Sequence, residues 1–127
     1  MFELTFLGVT ISIDLAPGIY VFPNMSASGK TYLHDLLRQA GVAGYAVSTY
    51  TYNDFLEGRD IMNVFRPEKY KVILVDRYDM FEGNFVEEIN KCKDNSVVLI
   101  DYKGKKNWFD TDSCAVLLSE GKIEVLN

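Results

Sequence analysis

The residues best suited to chemistry in this chain lie in one segment between an apolar run and a helical pattern. Gly29, Lys30 and Thr31 follow a loop of small and polar residues, which itself follows the apolar run at residues 19–22. Glycine lets backbone and ligand approach closely, lysine supplies a mobile positive charge, and a threonine hydroxyl is a hard oxygen ligand of the kind that Mg²⁺ prefers. The start of a helix also favours anions through its free N–H groups and its dipole. The segment therefore predicts a phosphate-binding loop.

Two further apolar runs each end in an aspartate. Asp76 ends the run that begins at residue 72, and Asp101 ends the run that begins at residue 97. Ligands of open α/β sheets bind beyond the carboxyl ends of the strands, which makes Asp101 a candidate catalytic base. The alternative is that Asp101 only forms a local turn with Tyr102.

The elements that must position these residues alternate between strand and helix. Residues 3–14 and 115–126 have the patterns of two hairpins. A helical period of apolar residues begins at Leu33, and Gly41 is placed to end that helix. Strands that alternate with helices predict an α/β fold with a mainly parallel sheet covered on both faces. Antiparallel strands are expected at its N- and C-terminal ends.

The composition predicts one soluble domain over residues 1–127. Hydrophobic residues make up 48% and charged residues 24%, and the net charge is -5, which argues against non-specific binding to nucleic acid. No apolar run is long enough to span a membrane, and no basic segment precedes the first apolar residues, which argues against a secretory signal. Cys92 and Cys114 are expected to be buried free thiols in a cytoplasmic protein, although their spacing leaves a disulfide open.

The loop segment resembles the Walker A motif of the P-loop nucleoside triphosphatases. That motif reads G-x-x-x-x-G-K-[S/T], and Asn24 stands here in place of its first glycine. Asparagine tolerates the left-handed backbone region better than most residues, so the loop can still close. The apolar run ending in Asp76 resembles the Walker B motif, in which an aspartate organises magnesium. The resemblance implies a three-layer, P-loop NTPase-like α/β fold.

The resemblance also implies a nucleotide site that takes ATP or GTP with Mg²⁺. Thr31 and Asp76 would hold the metal, and Lys30, Asp76 and Asp101 form the candidate catalytic set. No guanine-reading motif of the Asn-Lys-x-Asp type is present, which favours ATP. The candidate nucleotide-binding residues are Asn24, Met25, Ser26, Ala27, Ser28, Gly29, Lys30, Thr31 and Tyr32.

Within this superfamily, the two terminal hairpins are similar to parts of the nucleotide-binding cores of ABC-type ATPases. The Leu-Ser-Gly-Gly-Gln signature of that branch is missing. A glutamate that polarises water follows the Walker B aspartate in that branch, but Arg77 stands here and a guanidinium cannot accept a proton. The base would then come from Asp79, Glu82 or Asp101.

Three functional hypotheses stay open at this point. The first is a nucleotide-binding domain with weak or partner-dependent hydrolysis, since P-loop proteins often receive catalytic groups in trans from a protein partner or a second copy. The second is a nucleotide sensor that does not hydrolyse, and the third is a degenerate P-loop scaffold for protein interaction. His34, on the polar side of the first helix, is expected to be solvated.

Overall fold

The computed structural model describes residues 1–22, 27–81, 85–101, 109 and 111–127, with the backbone alone at 27–30, 62, 79 and 113. These residues form nine strands, four α-helices and one 3₁₀ turn. The strands are β1 (Phe2–Phe6), β2 (Val9–Asp14), β3 (Gly18–Val21), β4 (Val47–Tyr50), β5 (Val72–Val75), β6 (Val97–Ile100), β7 (Asp112–Ser113), β8 (Ala115–Ser119) and β9 (Lys122–Leu126). The helices are α1 (Ala27–Val42), α2 (Tyr52–Leu56), α3 (Ile61–Val64) and α4 (Val86–Cys92), and the 3₁₀ turn spans Tyr78–Phe81.

A five-stranded parallel sheet forms the centre of the fold. Its strand order is β4-β5-β6-β3-β7, and every neighbouring pair is parallel. All residues of β4, β5 and β6 are buried, as expected for a parallel sheet that is covered on both faces. The predicted α/β fold with a mainly parallel sheet is confirmed.

The two terminal hairpins form a second, mixed sheet of order β1-β2-β9-β8. Both hairpins are antiparallel, as predicted, and a parallel pairing of β2 with β9 joins them. They do not extend the ends of the parallel sheet, where the sequence placed them. Each hairpin has one apolar face, and Ile11 pairs with Ile123 and Ile13 with Val125. The apolar residues of the joint face belong to the same buried cluster as the leucines of α1.

The connections between parallel strands run on both faces of the parallel sheet. The side chains of β6 alternate between two apolar clusters, with Val97 and Leu99 in the α1 cluster and Val98 and Ile100 in the α3 and α4 cluster. The step from β3 to β4 crosses the sheet in one direction, and the steps through β5 to β6 return in the other. Right-handed crossovers then require the helices of the two directions to lie on opposite faces.

This arrangement creates a crevice at the carboxyl ends of β3 and β6. The helix after β3 covers one face, and Phe109, which follows β6, packs in the cluster on the other face. In an open α/β sheet, ligands usually bind between two neighbouring strands that are followed by chain on opposite faces of the sheet.

The first helix is longer than the sequence predicted. Gly41 is placed by its spacing to end α1, but the helix continues to Val42, and Gly44 has the positive φ of 103°. Gly41 instead allows close packing, because an added Cβ would lie 2.7 Å from the carbonyl oxygen of Val47. None of the helices in the described ranges has the length and apolar character that a membrane-spanning helix needs.

We expect Gly41→Ala to lower the free energy of unfolding by about 1–3 kcal/mol, the usual cost of overpacking a buried contact. The new methyl group would collide with a backbone atom of β4, which cannot rotate away as a side chain can. Urea unfolding measures the change. Gln39→Ala, at an exposed position of the same helix, is the matched control and should stay within about 0.5 kcal/mol of the wild type. Equal stability of the two variants would contradict the close packing.

Candidate functional site

A cavity of about 520 Å³ opens at the carboxyl edge of the parallel sheet. One face of α1, the start of α2 and the segments that follow β5 and β6 form its walls. The lining residues are Thr31, His34, Asp35, Arg38, Thr51, Tyr52, Asn53, Asp76, Arg77, Met80 and Asp101. Its volume lies within the range of about 300–1,000 Å³ that is usual for small-molecule sites.

The α1 wall follows from helical spacing. Thr31 lies three and four residues before His34 and Asp35, and Arg38 lies four and three residues after them, so all four share one face of the helix. The leucines of α1 are buried in the cluster that this helix shares with residues of both sheets. Burial of those leucines fixes the rotation of the helix, and the polar residues are thereby turned toward the cavity.

A capping box fixes the α2 wall. The Thr51 hydroxyl accepts a hydrogen bond from the Asp54 N–H at 3.1 Å, and the Asp54 carboxylate accepts one from the Thr51 N–H at 2.9 Å. This reciprocal pairing satisfies two N–H groups at the start of a helix. It holds Thr51, Tyr52 and Asn53 at the edge of the cavity.

The strand ends bring two aspartates side by side. The Asp76 N–H donates to the carbonyl of Tyr50 at 2.9 Å, and the Asp101 N–H donates to the carbonyl of Val75 at 2.9 Å. The parallel ladder thus extends one residue beyond β5 and β6. Arg77 then has a left-handed φ of 48°, and the Tyr78 N–H donates to the Asp101 carbonyl at 2.7 Å. The two carboxyl groups are joined by a hydrogen bond.

The surroundings of the pair raise the pKa of Asp76 above its ordinary value. Burial raises the pKa of the Asp76 carboxyl, and the charge of Asp101 and the hydrogen bond between the two groups raise it further. Nearby His34 and Arg77 oppose this rise. Two adjacent carboxylates cannot both ionise freely, so a hydrogen bond between them requires one shared proton.

His34 was expected to be solvated, and this prediction is wrong. Both ring nitrogens are inaccessible to solvent and have no hydrogen-bond partner among the described residues. Burial lowers the pKa of the imidazole, which the charges of Asp76 and Asp35 partly oppose. The helical spacing correctly placed His34 on the polar face of α1, but the depth of that face could not be inferred from spacing. Its distance of one turn from Thr31 was the signal that could have linked it to the site.

The structure brings three predicted site residues to one cavity: Thr31, Asp76 and Asp101. Tyr32, a predicted nucleotide contact, is exposed and is not part of the cavity wall. Helix α1 begins at Ala27. The sequence predicted that the helix would follow the Gly-Lys-Thr triplet, so the helix begins earlier than predicted. Only the first four N–H groups of a helix lack a partner within it, so the Thr31 N–H is used in the helix and is not a free phosphate donor.

The remaining predicted residues have no described side chain. Ala27, Ser28, Gly29 and Lys30 form the first turn of α1 by their backbone. Asn24, Met25, Ser26 and Glu82 lie outside the described residues, and Asp79 is described by its backbone alone. Cys92 and Cys114 are buried and free, as predicted.

No protein-family model, no curated protein and no solved structure matches this chain. Within the described ranges, no group of three or more histidine, cysteine, aspartate or glutamate side chains is arranged to hold a metal ion. The functional interpretation therefore depends on the geometry of the cavity.

The raised pKa of Asp76 predicts a pH-dependent stability difference for Asp76→Asn. A carboxyl whose pKa in the folded state exceeds its ordinary 3.8 loses stability as the pH rises from 3.8 through the raised value. The neutral asparagine does not have this cost and can donate an amide hydrogen to Asp101. We expect Asp76→Asn to be more stable than the wild type above the raised value.

Urea unfolding over a pH series from about 4 to about 8 tests this difference. The difference in free energy of unfolding between Asp76→Asn and the wild type should narrow as the pH falls toward 3.8. Asp35→Asn, an exposed position on the same cavity wall, is the matched control for removal of one negative charge. If Asp76→Asn is less stable than the wild type at neutral pH, the raised pKa of Asp76 is contradicted.

Proposed function

We propose that this chain binds a nucleoside triphosphate together with Mg²⁺, ATP in preference to GTP, in the cavity at the start of α1. The observation that carries the proposal is that Thr31 and Asp76 line one cavity. They come from separate sequence motifs, and the resemblance to the Walker A and Walker B motifs implies that both are magnesium ligands. If the Gly-Lys-Thr triplet had arisen by chance, Thr31 would not be expected to share a cavity with the aspartate that follows β5.

The first turn of α1 supports binding of the phosphates. This helix has 16 residues, follows directly on the loop after β3, and has Gly29 and Lys30 in its opening turn. The free N–H groups and the positive end of the helix dipole favour a polyanion there. In this proposal, Lys30 adds its charge to the outer phosphates.

The donor set fits Mg²⁺. A carboxylate and a hydroxyl are hard oxygen ligands, and Mg²⁺ is usually held by one or two carboxylates, several waters and the phosphates of the substrate. The lack of a three-residue metal cluster among the described residues agrees with a cation that arrives with its nucleotide. Bound Mg²⁺ would neutralise phosphate charge, while Asp76 and Thr31 orient it.

Asp101 is the group best placed to assist weak hydrolysis. It is buried, lies beside Asp76 and borders the cavity. When Asp76 is engaged by a cation, the Asp101 carboxylate can take a proton from a water molecule. A protein partner or a second copy would supply further groups that stabilise the transition state.

A second candidate is a nucleotide sensor that binds without hydrolysis. Arg77 favours this alternative, because it follows Asp76 directly, borders the cavity and cannot act as a base. A degenerate P-loop scaffold is the third interpretation, and it requires that no nucleotide binds.

Isothermal titration with ATP, GTP and their diphosphates in the presence of Mg²⁺ tests the binding proposal. We expect saturable binding of ATP that weakens at least tenfold, about 1.4 kcal/mol, in Lys30→Ala and in Thr31→Val. Thr31→Ser keeps the hydroxyl and should bind nearly as the wild type does. Lys71→Ala removes an exposed lysine beside the amino end of β5 and is the matched control. Equal affinity of Lys30→Ala and Lys71→Ala would refute the phosphate-binding role.

Phosphate release from ATP distinguishes the enzyme from the sensor. The hydrolysis hypothesis expects a slow release that falls by about 10²-fold or more in Asp101→Asn, since general base catalysis contributes about 10²–10⁴-fold. Asp35→Asn, on the same wall, should keep its rate. Tight binding without any release by the wild type would favour the sensor, and absence of both would favour the scaffold.

A further inference from the structure

The ring of His34 lacks the hydrogen bonds that a buried imidazole usually makes. Both of its ring nitrogens are buried, and neither has a hydrogen-bond partner among the described residues. A neutral imidazole carries one donor and one acceptor, and buried polar groups in folded proteins are nearly always paired with protein or with ordered water. An ordered water is a partner that can satisfy these nitrogens.

A small recess beside the ring has the size and the chemistry for such a partner. Its volume is about 10 Å³, and it is lined by Phe22, His34, Leu74, Asp76 and Asp101. A buried water needs about 10–15 Å³ of such volume and two to four polar partners. The histidine and the two carboxyl groups supply three, while Phe22 and Leu74 close the apolar sides.

The occupants other than water fit this space poorly. A metal ion would need ligands in a geometry that no histidine, cysteine, aspartate or glutamate cluster in the described ranges provides. A substrate group is far larger than the space and would occupy the adjoining cavity of about 520 Å³. Water is small enough, and it can donate to a carboxylate and accept from an imidazole at the same time.

We propose that one ordered water occupies the space between His34, Asp76 and Asp101 and hydrogen-bonds the histidine ring to the carboxyl pair. His34 is then a positioning residue: through this water it fixes the orientation of the Asp76 carboxylate, which faces the cation. This role in cation binding rests on the proposed nucleotide function, whereas the water itself does not. Groups that orient a metal ligand from behind typically change metal affinity about 10- to 100-fold.

A crystal structure at a resolution that shows waters tests the water directly. Support is a water within hydrogen-bond distance of a His34 ring nitrogen and of an oxygen of Asp76 or Asp101. A space that is empty or filled by a side chain, or a His34 ring bonded directly to protein atoms, overturns the proposal. This result does not depend on whether any nucleotide binds.

Titration of Mg²⁺-ATP into three variants tests the positioning role. His34→Phe keeps the ring but loses both nitrogens, and we expect its affinity to be about 10- to 100-fold lower than that of the wild type. His34→Asn and His34→Gln place an amide near the two ring nitrogen positions, and at least one should restore most of the affinity. Gln39→Ala is the neighbouring control, because Gln39 is exposed on α1 and lines neither the large cavity nor the small space.

The outcomes separate the two proposals. If wild type binds Mg²⁺-ATP and His34→Phe binds equally well, the positioning role is overturned and the nucleotide function stands. Equal losses in all three His34 variants would indicate a packing role, and also overturn it. If the wild type shows no affinity, the nucleotide function and the positioning role both fail, and the crystal structure alone decides the water.

Discussion

Burial of the α1 leucines in one apolar cluster with residues of both sheets is the constraint on which the rest of this structure depends. A helix whose leucines are buried in this way cannot rotate without exposing apolar surface to water. Its polar face is therefore held over the carboxyl ends of β5 and β6, where Thr31 and His34 meet Asp76.

Burying the two carboxyl groups and the histidine costs desolvation free energy. Apolar residues in the same places would not have this cost. Asp76 and Asp101 share a hydrogen bond in a partly buried setting, and His34 is buried beside them. Titratable groups with perturbed pKa values in a cleft are typical of functional sites, although structural networks also produce them. Here they meet at the carboxyl edge of the parallel sheet, where ligands of α/β sheets bind.

Arg77 limits what this site can do alone. Its left-handed backbone conformation turns the chain away from β5, and its guanidinium stands where a proton acceptor would serve hydrolysis. Binding and slow hydrolysis therefore make different demands on the same few residues. In the proposed function, binding would need the α1 N-terminus and Asp76, whereas hydrolysis would also need Asp101 or a group from another molecule.

The sequence by itself predicted most of the strands and the long helix α1 in their order, because local periodicity and turn residues act over a few positions. It did not predict the short strand β7. It also singled out Thr31, Asp76 and Asp101 by residue type and position at the ends of elements. Only the tertiary structure decided that the hairpins form their own sheet, since strand pairing between distant segments leaves no local pattern. It likewise decided that His34 is buried, because burial depends on which elements pack above a helix face.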